Sequence, residues 1–362
     1  MKREISSDKF IKRFFVTAVV LLLLCAITVI VFDPFFHYHK PLFSLKAVLN
    51  EKEYQVPGTL DHFDYNAVIA GSSVAENYNN AWFDNNFDCH SIKAIRSYGA
   101  TADLCYFIER ANEKQYLKYV FFNLDPSSII AEPITTFKQT GSPMYLYDHN
   151  IFTDVNYLFN KDVICERIPY MVATSFLSDY DEGTSYNWGQ WKTFSEESAL
   201  SHYYRNPVVS TEEKPANEYL DSAKANIKYI TDLAQKHPQS DFIVFIPPYS
   251  ILWWDTINRD GDVQAYIAAE EYALKTLNQY KNIRIFNFQN ADDIVYNLNV
   301  YLDSLHFSPD INRYICDCLK DGRYELKDDS MIESSLKSVK SYAEHSSDYV
   351  DSVYKDRIQY SY

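Results

Sequence analysis

The run Phe14–Phe32, FFVTAVVLLLLCAITVIVF, is 19 residues without a charge, and it constrains the chain more than any other feature. As a helix it rises roughly 29 Å, the depth of one hydrocarbon core. A soluble core helix keeps a polar face, but here only Thr17, Cys25 and Thr28 interrupt the apolar residues. The run therefore reads as a transmembrane helix over 14–33. Residues 1–13 carry five basic and two acidic side chains, a net of +3, and positively charged flanks stay cytoplasmic. The expected topology is a single pass through the cell membrane, with a cytoplasmic stub at 1–13 and everything after the helix extracytoplasmic. Cleavage is not expected. No small-residue A-x-A site follows the run, and the lipoprotein-like Leu22-Leu23-Leu24-Cys25 has a bulky Leu24 before its cysteine. Phe35, Phe36 and Tyr38 read as an interfacial aromatic belt.

The whole chain has 34 Lys+Arg against 49 Asp+Glu, a net of −15, so the part beyond the stub carries −18. Acidity on this scale argues against a nucleic-acid partner, because phosphate binding needs a basic face. Only 8 glycines are present and neither G-x-G-x-x-G nor a P-loop occurs, which excludes the usual phosphate cradles. The cysteines after the helix are Cys89, Cys105, Cys165, Cys316 and Cys318, an odd and sparse set that reads as free thiols. Cys316-x-Cys318 lacks the second pair that structural zinc needs. Asp61, His62 and Asp64 are a weak metal pattern, and no metal or other cofactor is expected. His37, His39 and His90 read as interfacial or surface histidines.

Beyond a stalk at 34–60, apolar runs alternate with helical periodicity. Strands are expected at Tyr65–Ala70, Ser91–Ala94, Tyr119–Leu124, Asp241–Ile246 and Ile283–Phe288. Helices are expected at 101–114, 217–237, 262–280 and 309–320. The continuous apolar strands suit a parallel sheet covered on both faces, so the fold class is α/β with a mainly parallel sheet, over 61–322. Residues 126–215 lose the pattern and read as an insertion or cap. Residues 323–362 read as a C-terminal helical tail packing outside the sheet.

Ligands of open parallel sheets sit at the carboxyl ends of the strands. Those ends offer Gly71-Ser72-Ser73, then Ser97 and Gly99, then Asn123 and Asp125, then Tyr249 and Ser250; Asp303-Ser304-Leu305-His306 follows the last strand. A serine hydroxyl becomes a nucleophile when a histidine takes its proton, and that histidine needs a carboxylate to hold its tautomer. Backbone donors must meet the oxyanion that forms. Each element is common by itself; their occurrence together at successive strand ends is the signal. Trp253-Trp254 reads either as part of a sugar-stacking groove or as an aromatic core cluster, and Tyr249 and Trp253 are the candidate substrate contacts.

The motifs G-x-S after the first strand, Gly after the second, Asn after the third and D-x-x-H near the end resemble the SGNH (GDSL-like) hydrolase superfamily. The N-terminal anchor makes the layout similar to its bacterial cell-envelope members, the DltD-like and alginate O-acetylation-like proteins. The resemblance covers roughly 60–125 and 215–322. It implies a flavodoxin-like three-layer sandwich, Ser73 as nucleophile, His306 as base, Asp303 as its orienter, and Ser73, Gly99 and Asn123 as the oxyanion hole. It implies a serine esterase or O-acyltransferase working on acetyl or D-alanyl esters of an envelope polysaccharide or teichoic-acid-like polymer, with a multi-pass membrane O-acyltransferase as partner. One block departs from the pattern: Phe122-Asn123-Leu124-Asp125 stands where G-x-N-D is usual. The alternative reading is a catalytically inactive envelope protein on the same fold, binding glycan or scaffolding such an acyltransferase.

Overall fold

The computed structural model describes residues 7–361. Lys2, Arg3 and Glu4 of the basic stub lie outside the described residues. The chain forms two compact units, Met1–Phe63 with Gly141–Glu182, and Asp64–Thr140 with Gly183–Tyr362.

In the first unit a 26-residue helix, Ser7–Phe32, is long and apolar enough to cross a membrane. Asp33 ends it with φ 38°, and Pro34 follows. The buried Asp33 carboxylate then collects the backbone N–H groups of His37, Tyr38 and His39 at 3.0, 2.7 and 3.0 Å and the Tyr157 hydroxyl at 2.7 Å. This draws the following residues into a tight loop. The aromatic belt expected at Phe35, Phe36 and Tyr38 is therefore corrected. Phe35 and Phe36 are buried, ringed by Tyr54, Tyr157 and Phe63, and the Tyr38 hydroxyl donates to Asp154 at 3.0 Å. The 34–60 segment is folded rather than extended, and it ends in the helix Lys52–His62.

The second unit holds the sheet. Strands Ala67–Gly71, Ser91–Ile95, Tyr119–Asn123, Asp241–Ile246 and Ile283–Asn287 are all parallel. Glu325–Leu326 adds a sixth, antiparallel strand against Ile285 and Phe286. Numbered along the chain, their order across the sheet is 2-1-3-4-5-6. The order reverses between the first and third strands, and such a switch point opens a crevice at the carboxyl ends. The first strand is buried along its whole length, as an inner parallel strand covered on both faces must be. Helices flank the sheet in two groups: Thr101–Lys114, Leu220–Lys236 and Val263–Leu277 pack together, as do Asn80–Phe87 and Pro309–Asp321.

The region expected as one insertion divides, with 141–182 in the first unit and the flanks 126–140 and 183–215 in the second. The C-terminal segment, expected as a helical tail outside the sheet, also reaches the sheet edge. It supplies the sixth strand, and its helices Asp329–Glu344 and Ser346–Tyr354 pack on Val263–Leu277 and Ile251–Arg259. Beneath them a buried ion pair, Arg205–Asp255 at 2.8 Å, ties the chain after 183 to the sheet unit.

Candidate active site

The first strand ends at Gly71, and the chain turns into a single 3₁₀ turn, Ser73–Ala75. Only glycine permits this approach, because a Cβ on Gly71 would lie 2.9 Å from Asn123 Cβ and closer still to Ala75. Ser72 caps the turn, its hydroxyl accepting from Val74 N–H at 3.4 Å. Ser73 is thereby lifted to the crevice mouth.

Ser73 Oγ lies 2.8 Å from His306 Nε2, and His306 Nδ1 lies 2.7 Å from Asp303 Oδ2. An ionised carboxylate can only accept, so Nδ1–H donates to Asp303 and Nε2 is left to accept from the Ser73 hydroxyl. Asp303 is itself held by the N–H groups of Leu305 and His306, both at 2.8 Å to Oδ1. Partial burial works to raise its carboxyl pKa. The His306 hydrogen bond and charge and the two amides outweigh that and hold it below the usual range. The loop is cinched by the Tyr301–Phe307 bridge and by Leu302 N–H on the His306 carbonyl at 2.8 Å.

A cavity of about 410 Å³ opens over this relay, with Ser72, Ser73, Gly99, Asp125, Tyr249 and His306 in its lining. Asp125, in the third-strand block that departs from G-x-N-D, is fully buried. Burial pushes its carboxyl above the usual range, against the donors Ser72, Tyr249 and Asn123 and the nearby His306. The two neighbouring serines are thus wired to different partners, Ser73 to His306 and Ser72 to Asp125.

Three expected roles are corrected. Gly99 N–H is spent on the Arg96 carbonyl at 3.1 Å, closing the turn Arg96–Gly99, so it is not a free oxyanion donor. Asn123 is wholly buried below the cavity, and its Nδ2 donates to Asp125 Oδ1 at 2.9 Å. Of the expected donors, only Ser73 N–H has no hydrogen-bond partner among the described residues. Trp253 is a core residue rather than a substrate contact. It packs edge-on against Tyr249, Trp254 and Tyr266 at 5.1, 4.7 and 5.4 Å, because the helix Ile251–Arg259 turns it inward. Tyr249, the other candidate contact, does line the cavity.

Sequence reasoning missed Trp188. Its ring meets the His306 ring edge-to-face at 5.2 Å. The strap that carries it is clamped to the residues just after the Ser73–Ala75 turn. Asn77 Oδ1 accepts from Trp188 N–H at 3.1 Å and Gly189 N–H at 2.8 Å, and Ser185 Oγ donates to Asn80 at 3.1 Å. Beneath it the buried Lys93 ammonium bridges the carbonyls of Glu76 and Ser185, and burial lowers its pKa to about 7. These residues fall in a stretch without periodicity, and only the unusual Lys in an otherwise apolar strand could have marked the clamp.

Among the described residues no group of His, Cys, Asp or Glu converges as a metal site, and His62 Nε2 is engaged by the His37 carbonyl at 3.1 Å. Cys316 and Cys318 are buried free thiols, and burial pushes both pKa values up. No protein-family model and no curated protein matches the chain, so the site stands on its own geometry.

Proposed function

We propose that this chain is a membrane-anchored, extracytoplasmic serine esterase or O-acyltransferase of SGNH type, acting on acyl esters of a cell-envelope polymer. The unbroken Ser73–His306–Asp303 relay, at 2.8 and 2.7 Å under an open cavity, carries the reading. Ser73 Oγ attacks the ester carbonyl as His306 Nε2 takes its proton. Ser73 N–H faces the oxyanion, and Asp303 stabilises the imidazolium. The tetrahedral intermediate collapses, the C–O bond to the leaving alcohol breaks, and His306 returns the proton to that alcohol. The acyl-enzyme then passes its acyl group to water or to a sugar hydroxyl. Transfer needs an acceptor that outcompetes water in the cavity. The basic flank of the apolar helix places the N-terminus in the cytoplasm in this reading, and a multi-pass membrane O-acyltransferase is the partner that would supply acyl groups from across the bilayer.

A specific observation favours a second reading, an inactive fold that binds glycan or scaffolds that partner: two of the three expected oxyanion donors are already engaged. A fluorophosphonate probe on the full chain separates the two. The enzyme labels, keeps the label in Ser72→Ala and loses it in Ser73→Ala. A folded chain that takes no label leaves the binding protein.

A further inference from the structure

We propose that Tyr98 is the stacking platform of a saccharide subsite at the cavity mouth, taking the ring face of a neutral sugar unit of the polymer. The inference rests on the acyl-transfer reading of the same cavity and names its substrate class.

The backbone supplies the first observation. Arg96–Gly99 is a turn closed by Gly99 N–H on the Arg96 carbonyl at 3.1 Å, and Tyr98, its third residue, has φ 55°. Glycine or asparagine is the usual occupant of such a position, and a bulky residue there is an outlier held at a cost. Among the other aromatics in this conformation, Phe43 of the first unit is also exposed, but within the sheet unit Tyr186 and Tyr324 share it and packing offsets it. Tyr186 is buried, and Tyr324 sits against Phe288 at 5.2 Å with its hydroxyl 3.2 Å from that of Tyr314. Tyr98 is 88% exposed and has no ring or hydrogen-bond partner among the described residues. Stability therefore does not explain the side chain.

Its location supplies the second. Tyr98 lines the cavity that contains Ser73 and His306. The turn beneath it is rigid, because Arg96 and Asp103 form a buried pair at 3.4 Å. Both also grip the facing wall. Arg96 donates to the Thr136 carbonyl at 3.4 Å and to the Thr140 hydroxyl, while Asp103 accepts from Thr136 N–H at 2.7 Å and Thr136 Oγ1 at 2.6 Å. Platform and wall are one preorganised piece.

The chemistry of the wall supplies the third. Glu132, Gln139, Ser127 and Thr136 line it, and no Lys or Arg does. A carboxylate, an amide and hydroxyls opposite an aromatic face suit vicinal sugar hydroxyls on one side and the C–H face of the ring on the other. Tyr combines an apolar ring with a polar tip for such amphipathic ligands. Phosphate or uronate groups would find no cation, and the −15 chain would repel them.

The test uses the full chain in detergent, with O-acetylated xylan fragments as the neutral probe and O-acetylated polygalacturonate as the anionic one. Tyr98→Gly keeps the left-handed turn and relieves its strain, so its thermal midpoint should rise. Its KM for the xylan probe should rise about three- to tenfold, the worth of one stacking contact, with the loss in KM rather than kcat. Tyr98→Trp should restore KM, and Tyr116→Ala, an exposed control elsewhere, should change neither. Affinity electrophoresis of Ser73→Ala through acetylated xylan reads binding without turnover, and adding Tyr98→Gly should weaken the retardation by the same factor, about three- to tenfold in apparent Kd. An unchanged KM and retardation in Tyr98→Gly overturns the subsite while the esterase stands. Retardation weakened by Tyr98→Gly in a chain that hydrolyses no ester keeps the subsite and removes the esterase. Retardation by polygalacturonate alone, or binding to lipid vesicles but not to xylan, overturns the choice of a neutral saccharide.

Discussion

Two carboxylates stand at the same crevice, Asp125 in the cavity wall and Asp303 behind His306, and they are held in opposite electrostatic states. Asp303, on the loop after the last parallel strand, is partly exposed, faces His306 and is pulled below the ordinary carboxylate range. Asp125, two residues past the third strand, is almost wholly buried in the cavity wall and pushed above it. The first environment rewards a fixed negative charge next to an imidazole; the second rewards a carboxyl that stays neutral more readily while it collects Ser72, Tyr249 and Asn123. One fold thus separates a carboxylate paired with an imidazole from one paired with hydroxyls and an amide within the same crevice, and two adjacent serines follow the same division.

The largest effect should break the comparison at the serines. Ser73→Ala should lower p-nitrophenyl acetate turnover by about 10⁵- to 10⁶-fold, whereas Ser72→Ala should cost about tenfold or less. Equal losses would mean that the two hydroxyls share the chemistry. The carboxylates come next. Asp303→Asn should lower kcat about 10³- to 10⁴-fold, since the amide favours the wrong His306 tautomer. Asp125→Asn should cost about tenfold at most, and a larger fall in steady-state kcat would move Asp125 into the relay.

Stability should then separate the pair by sign. The lowered Asp303 contributes stability above its unfolded pKa that is lost as pH falls through its folded value. The raised Asp125 contributes stability below its unfolded pKa of about 3.9 that is lost as pH rises through its folded value. In urea melts at pH 7, Asp303→Asn should be less stable than the parent and Asp125→Asn more stable. The same sign for both would refute the assignment. The smallest effect belongs to the strap. Trp188→Ala should lower kcat about three- to tenfold by freeing the His306 ring, and a loss confined to KM would make Trp188 a substrate contact instead.

The apolar helix, the parallel strands and the residues of the relay are legible in the chain because each rests on local pattern. A charge-free run needs no partner to be read. Strand ends reveal themselves where apolar runs stop at Gly71, Asn123 or Pro247. Asp303 and His306 lie three residues apart, close enough for spacing to suggest contact. The oxyanion donors were not legible, because whether an N–H is free depends on a turn. The left-handed Tyr98 sends Gly99 N–H back to Arg96, and no spacing announces that. Phe35 and Phe36 misled for a similar reason. Aromatics after an apolar helix suit an interface, but Asp33 folds the loop and buries both rings.

By itself, then, the sequence determined that the chain has one membrane-length helix, an α/β sheet, and a serine, a histidine and an aspartate at strand ends, since periodicity and charge act over neighbouring residues. Tertiary structure alone decided that Ser72 is tied to Asp125, that Trp188 braces His306, that Trp253 belongs to the core, and that Tyr98 stands bare at the cavity mouth. Those outcomes depend on contacts between residues far apart in the chain, whose geometry is set only when the whole sheet closes.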